Sequence, residues 1–567
     1  MASLTKKIIN GRPYYYLRET AWVEGRPKVV RTTYLGRAED IERRLVEGPG
    51  EPKAVEVRGF GAVAAALRLA RELGLAEAID RQLGAGRGRR GGPSVGELIE
   101  LAAINRACCP RSKRQLGDWH ARTALARLLP QPRRALSSQR FWDAMDRLSE
   151  QAIRSAEAEI VRRAIDRYEV DLRPLVYDTT NFATFVDSAN ERNTLARRGH
   201  AKGGRHDLRL VGLALCVALD GNLPLCHQPY DGNRNDASEF PEALALIRER
   251  LEGLGLPEDE LSELTLVYDR GNNSKRNQPA ADALADELGL GVVGSLTPAH
   301  HPELLAVPRS RFRELEGFKR TSAYRTSLAV YGRERTVIVT HSASFEQKQA
   351  RSFAQTLAKA RRELRALKGI IERGRHRMDR RACEERLSET LRRRWLADVV
   401  KVDFDLKERR LSFRTDSSAL AQVRRREWGK RVIFTDRHAW TDEEIVAAYR
   451  SQSEAEGAFR QMKDPEFASF SPAFHWTDQK LRVHAFYCTL ALLLVNLIER
   501  EVRRAGIELG SKLAMRSLSE IHETTLVYPP AGGKQGRPKV RTRLAEMDAE
   551  QRRIFDALGL DQLAPAV

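Results

Sequence analysis

Cysteine is scarce. Six occur in 567 residues, at Cys108, Cys109, Cys216, Cys226, Cys383 and Cys488. No two are spaced Cys-x-x-Cys, and no Cys/His cluster has zinc-ligand spacing. This argues against a disulfide scaffold and a zinc module, and for thiols kept reduced in a cytosol. The N-terminal stretch MASLTKKIINGRPYYYL lacks the apolar core of a signal peptide. Long apolar runs are also missing. The longest, Ala485 to Ile498, has 14 residues and contains Thr489 and Asn496. A membrane span needs about 20, so this run is expected to be a buried core helix and the protein to be cytoplasmic. Acid is in deficit, with 77 Asp and Glu against 97 Lys and Arg, a formal charge of +20. With 42% hydrophobic and 31% charged residues the chain is neither disordered nor collagen-like. An excess of that size on a globular chain points to a polyanionic partner. Without a membrane segment, that partner is expected to be nucleic acid.

The length implies two to four domains. Residues 1–58 read as a small β-rich module, with strand-like runs at Tyr14–Leu17 and Val29–Leu35 around the turn Glu24-Gly25-Arg26-Pro27. Residues 59–166 have helical periodicity, interrupted by a basic Gly-rich linker from Gly84 to Pro93. Ser94 and Glu97 then have the spacing of a capping box. This region is a candidate for binding DNA ends. From 167 to 300 apolar strands alternate with helices, including a hairpin about Asp220-Gly221-Asn222. Residues 301–429 break the alternation. There Phe353, Leu357, Ala360, Leu364, Leu367 and Ile371 recur at spacings of four and three, one face of a helical hairpin. Residues 346–396 hold sixteen Lys/Arg against seven Asp/Glu, nearly half of the net charge. A solvated helix face and a DNA contact both fit that run. Strand and helix resume at 430–510. The tail, 511–567, contains a basic stretch without acid from Pro529 to Arg543, expected to be mobile.

Three carboxylates stand out. Asp178 and Asp269 each follow the same apolar letters, Leu-Val-Tyr. Acids at the carboxyl ends of neighbouring strands converge on the crevice where α/β proteins bind ligands. Two carboxylates there repel unless they share a proton or a cation, and a hard divalent ion prefers oxygen ligands. A strand-end Asp also serves as a turn or cap residue, so the residues alone leave both roles open. The third acid, Glu456, lies on an expected helix running through Tyr449 to Lys463. Tyr449, Glu456 and Lys463 are spaced by seven and share a face, with Gln452 between, while Phe459 and Met462 face the core. An exposed amphipathic helix would carry the same pattern.

Together these residues resemble a DDE-class insertion-sequence transposase, in the branch with a Tyr-x2-Arg-x3-Glu-x6-Lys signature. Tyr449, Glu456 and Lys463 match that spacing, and Gln452 stands where Arg is usual. Asp178 in Tyr-Asp-Thr-Thr and Asp269 in Asp-Arg-Gly-Asn resemble the first two catalytic acids. Gly199 to Leu208 and Leu481-Arg482-Val483-His484 are further points of likeness. The resemblance covers about 171–300 and 430–500. It implies an α/β fold with an RNase H-like mixed sheet, a large α+β insertion at 301–429, and a small β module and helical domain in front. It implies that Asp178, Asp269 and Glu456 hold two Mg²⁺ ions, or Mn²⁺ in their place, for cleavage at transposon ends and strand transfer. Tyr449, Gln452, Arg460, Lys463, Lys202 and Arg205 become candidate DNA contacts. The implied partners are double-stranded terminal repeats and target DNA, bound by a homodimer on paired ends in the nucleoid. The alternatives are an RNase H-like nuclease or resolvase without strand transfer, and a transposase-derived DNA-binding protein without activity.

Overall fold

A computed structural model describes residues 1–23, 25–46, 51–84, 92–200, 207–373, 379–405, 408–529 and 539–566. The chain divides into two compact units. One comprises Met1–Ala76, Gly86–Ala144 and Leu497–Val567, the other Glu77–Ala85 and Met145–Asn496.

In the first unit, strands Ala2–Ile9, Arg12–Val23 and Arg26–Gly36 form an antiparallel sheet, one strand more than the expected hairpin. A second sheet pairs Ala54–Gly59 and Lys539–Leu544 with His522–Tyr528. The basic tail is therefore ordered from Lys539 onward, and residues 530–538 lie outside the described part. Ser94 caps the helix Val95–Cys108 through the expected box, with Glu97 bonding back to the Ser94 amide. Nearly every residue of that helix is buried, so it is a core helix and not a surface for reading DNA. Residues 85–91 of the basic linker are not described.

The second unit is built on a nine-stranded mixed sheet. Its strands are β1 (Leu175–Thr184), β2 (Arg209–Ala218), β3 (Leu223–Asp231), β4 (Thr265–Tyr268), β5 (Gly291–Leu296), β6 (Arg313–Glu314), β7 (Thr321–Val330), β8 (Arg333–Ser342) and β9 (Lys430–Thr435). The order is β6-β7-β8-β9-β5-β4-β1-β2-β3. β1, β2 and β3 run antiparallel, whereas β4 and β5 lie parallel to β1 on its other side. β4 and β5 are buried along their whole length, as parallel strands covered on both faces require. The hairpin between β2 and β3 turns at Gly221, with φ of +75°, where a side chain would be strained.

Three expectations are revised. β1 does not end at Asp178. It continues to Thr184, because its polar half finds partners along all of β2, up to Thr184 opposite Arg209. The region 301–429 is divided: β6 to β8 extend the main sheet, with β8 antiparallel to β9. Only the chain beyond β8 leaves the sheet, as the helices α1 (Ala343–Arg373) and α2 (Arg380–Leu391), a short hairpin at 400–415 and the helix Ser417–Glu427. That segment has its own core, in which Phe353, Ala360, Leu364, Leu367 and Ile371 of α1 pack with Cys383, Leu387, Leu411 and Trp428. The heptad-like spacing of α1 thus faces a local core. Finally, the helix expected through Tyr449 and Lys463 is broken at Ser451 into α3 (Asp442–Arg450) and α4 (Gln452–Lys463). Phe459 and Met462 of α4 face the core, 5% and 0% exposed.

The apolar run 485–498 lies within a longer helix, α5 (Asp478–Arg504). Among the described residues it is the one helix long and apolar enough to cross a membrane, and 94% of its apolar window is buried in protein.

Candidate active site

The repeated Leu-Val-Tyr-Asp letters become a geometric pair. Tyr177 of β1 lies opposite Tyr268 of β4 in parallel register. Both rings flank Phe240 of the helix Asp236–Leu254, at 5.1 and 5.0 Å between centroids. Side chains alternate along a strand. With the tyrosines committed to that helix, the next residues, Asp178 and Asp269, are turned to the opposite side. They leave adjacent strands, which run about 4.8 Å apart. Asp178 is half-buried and accepts a hydrogen bond from the Thr179 amide at 2.8 Å. Asp269 is exposed at the end of β4, where the chain turns through Arg270 and Gly271.

α3 and α4 supply the other side chains. Tyr449, in the last turn of α3, is 6% exposed, and its hydroxyl donates to Asp269 Oδ1 at 3.3 Å. Burial, and then the charge of Asp269, push its pKa above the ordinary phenol value. The hydroxyl therefore stays protonated at neutral pH and remains a donor to the carboxylate. Gln452 opens α4, and its Nε2 is buried without a hydrogen-bond partner among the described residues. Glu456, one turn on, is exposed.

Asp178, Asp269, Tyr449, Gln452 and Glu456 line a single cavity of about 1100 Å³. Lys463 and Arg460 do not. Lys463 Nζ donates to Thr180 Oγ1 at 2.6 Å. Thr180 is on the same face of β1 as Asp178, about 7 Å further along, so Lys463 stands beside the cavity. Arg460 is exposed on α4. Lys202 and Arg205 lie outside the described residues.

Little in the sequence marks the rest of the cavity wall. Eight basic side chains line it against three carboxylates. Arg270 comes directly after the second aspartate, and Lys319 and Arg450 face it from elsewhere in the sheet unit. Lys348 and Arg351 come from the first turns of α1, Arg394 from the turn after α2, and Lys430 and Arg431 from β9. Among the described residues, only Arg394 of these eight has a carboxylate within ion-pair distance, Glu427 at 3.7 Å. Burial depresses the pKa values of Arg394, Arg450 and Lys430, and each also feels a neighbouring cation. The charge of 346–396 marked Lys348 and Arg351 as a group. No sequence signal marked Arg431, Arg450 or Lys319.

The donor set suits a hard cation, because the acids offer only oxygen. Among the described residues, however, no three His, Cys, Asp or Glu side chains stand close enough together to hold a metal ion. Asp178, Asp269 and Glu456 line one cavity without forming such a group.

No protein-family model matches the chain, and no curated protein matches it. Among solved structures it is similar to the piggyBac transposase synaptic complex with hairpin DNA, determined by cryo-EM. The likeness covers 80% of this chain and 79% of that one, at 10% identity and a TM-score of 0.37. At that level it carries no weight for fold or function.

Proposed function

We propose that this protein is a DDE-class transposase of an insertion sequence, which cuts DNA at the terminal inverted repeats and joins the freed ends to target DNA. One observation carries the reading. Two aspartates that directly follow paired tyrosines on adjacent parallel strands share a cavity with Glu456, and eight cations line it, seven of them without a carboxylate in ion-pair distance among the described residues. A phosphodiester substrate needs both features, acids for the reacting phosphorus and cations for the flanking backbone. The mixed sheet supports the RNase H-like reading, since three antiparallel strands are followed by two parallel ones and the acids sit at the carboxyl end of the parallel pair.

In this reading Asp178, Asp269 and Glu456 would hold Mg²⁺. When bound, Mg²⁺ supplies charge stabilisation at phosphorus and activation of the attacking hydroxyl. The chain's own contributions are orientation and charge. Tyr449 holds Asp269 in one rotamer through its hydroxyl. Gln452 offers an unused amide donor to the DNA. Lys463 and Arg460 contact phosphates beside the cavity, Lys as a point charge and Arg as a fork. The substrates are double-stranded transposon ends and target DNA, and a dimer on paired ends would join the two ends in one event.

The test uses duplexes carrying the inverted repeats that flank the gene. Wild-type protein with Mg²⁺ is expected to nick them and to join pre-cleaved ends to a plasmid. Asp178→Asn should abolish both reactions and leave DNA binding in EDTA intact. Undiminished cleavage by Asp178→Asn, or by wild type in EDTA, would overturn the reading. Nicking without joined products would reduce it to a nuclease.

A further inference from the structure

Arg431 is the one exposed residue of β9, a strand otherwise buried from Lys430 to Thr435. Its guanidinium lies over two rings, Phe345 at 4.6 Å and Tyr449 at 5.9 Å from the centroids. Arg450, on α3, is arranged in the same way. It lies over Phe318 at 4.7 Å and donates to Thr321 Oγ1 at 3.0 Å. Both arginines line the cavity of the acids, and neither has a carboxylate partner among the described residues.

Two cations side by side in one wall repel each other, and among the described residues no ion pair cancels that repulsion. Stacking fixes a guanidinium by its face and leaves its N–H edge open. A salt bridge would fix it by that edge and use up the donors. The fold therefore holds two arginines in place while keeping donors open on each. An anion with oxygens on a tetrahedral centre matches such a pair, and binding it removes the repulsion.

We infer that Arg431 and Arg450, each buttressed by an aromatic ring, form a phosphodiester-binding site beside Asp269, and that Phe345 is the contact by which the segment after β8 positions Arg431. This rests on the reading of the cavity as a DNA cleft. The series Phe345–Arg431–Tyr449–Asp269 links the start of α1 to a carboxylate of the cavity through two cation–ring approaches and a hydrogen bond. A phosphate seated on Arg431 would lie one side chain away from Asp269. The site would thus set how far the scissile phosphate stands from the flanking backbone, and Phe345 acts as a positioning residue.

The test is binding of a fluorescein-labelled random-sequence 30-base-pair duplex across a salt series in EDTA, where no cleavage occurs. Phosphate contacts are independent of sequence, so the terminal repeat need not be known. Arg431→Ala and Arg450→Ala should each weaken binding about tenfold. Each should also reduce the slope of log affinity against log salt by about 0.9, the value of one lost phosphate contact. Arg431→Lys should keep the slope and lose part of the affinity, since a lysine cannot offer the fork. Phe345→Ala retains every charge, so the slope should stay while affinity falls about two- to fivefold. Arg381→Ala, which removes a solvent-exposed arginine paired with Glu385, is the control and should change neither quantity. If Arg431→Ala melts early, Arg431→Gln repeats the measurement. An unchanged slope in Arg431→Ala and Arg431→Gln, or an equal loss in Arg381→Ala, overturns the inference. The two readings fail separately. A slope that falls in a protein without Mg²⁺-dependent cleavage removes the transposase and keeps the phosphate site. Cleavage that depends on Asp178 but ignores Arg431 does the reverse.

Discussion

Arg335 and Arg431 lie on neighbouring strands of one sheet and are treated in opposite ways. Arg335, on β8, is 2% exposed, bonded to Asp282 and to Asp436 at 3.1 Å, and set over Phe434. Asp282 is shared further with Arg333 and Gln278. Arg431, on β9, is exposed to the cavity, lies on aromatic faces and has no acid paired with it among the described residues. A buried charge without a counter-charge costs several kcal/mol, so the fold supplies acids to Arg335. A charge facing water does not carry that cost and can be left for a ligand. The net charge of +20 is therefore not equally available. Arginines such as Arg313, Arg325, Arg333 and Arg393 are neutralised within the molecule, while most of the cavity cations are not.

The sharpest way to break this contrast is Arg335→Ala. It removes the buried cation that Asp282 and Asp436 share and should destabilise the protein by about 3–5 kcal/mol in denaturant titration. A cost below about 1 kcal/mol would mean that the buried network is not structural. Leu364→Ala, in the core beneath α1, should cost about 3 kcal/mol and, if its transition separates from the main one, should loosen the α1 wall first. The double variant Lys348→Ala/Arg351→Ala should leave the melting temperature nearly unchanged and lower the salt slope of DNA binding by about 2. A stability loss like that of Arg335→Ala, with the slope kept, would erase the distinction between the two kinds of cation. The smallest effect is expected for Tyr449→Phe, which removes the donor to Asp269 and should slow Mg²⁺-dependent cleavage about tenfold. Binding in EDTA should not change.

Much of the local structure was legible. The apolar runs ending in Asp178 and Asp269, the hairpin at Gly221, the capping box at Ser94 and the buried stripe of α1 arise from periodicity and short-range chemistry, and they appear where expected. Less legible were features that depend on distant partners. β1 continues past Asp178 through Thr179, Thr180 and Asn181, a polar stretch with no strand signal, because β2 is there to pair with it. β8 and β9 pair across the 87 residues between Ser342 and Lys430, and nothing local records that closure. The break at Ser451 sits inside a continuous helical pattern. It puts Tyr449 in the last turn of α3, while Glu456 and Lys463, two turns apart, share α4. Tyr449 turns to Asp269, Glu456 to the cavity and Lys463 to Thr180.

The sequence by itself determined the residue chemistry: two apolar runs that each close on Leu-Val-Tyr-Asp, a helical segment carrying Glu, a positive excess and cysteines too few and too scattered for a zinc module or disulfide scaffold. It also determined which segments could be strand or helix, because those preferences are set within a few residues. Only the tertiary structure decided which charges are spent on folding and which remain for a ligand. Arg335 and Arg431 are alike as letters in a chain. What separates them is whether an acid from elsewhere in the chain arrives beside them, and that depends on burial and long-range packing that no local pattern encodes.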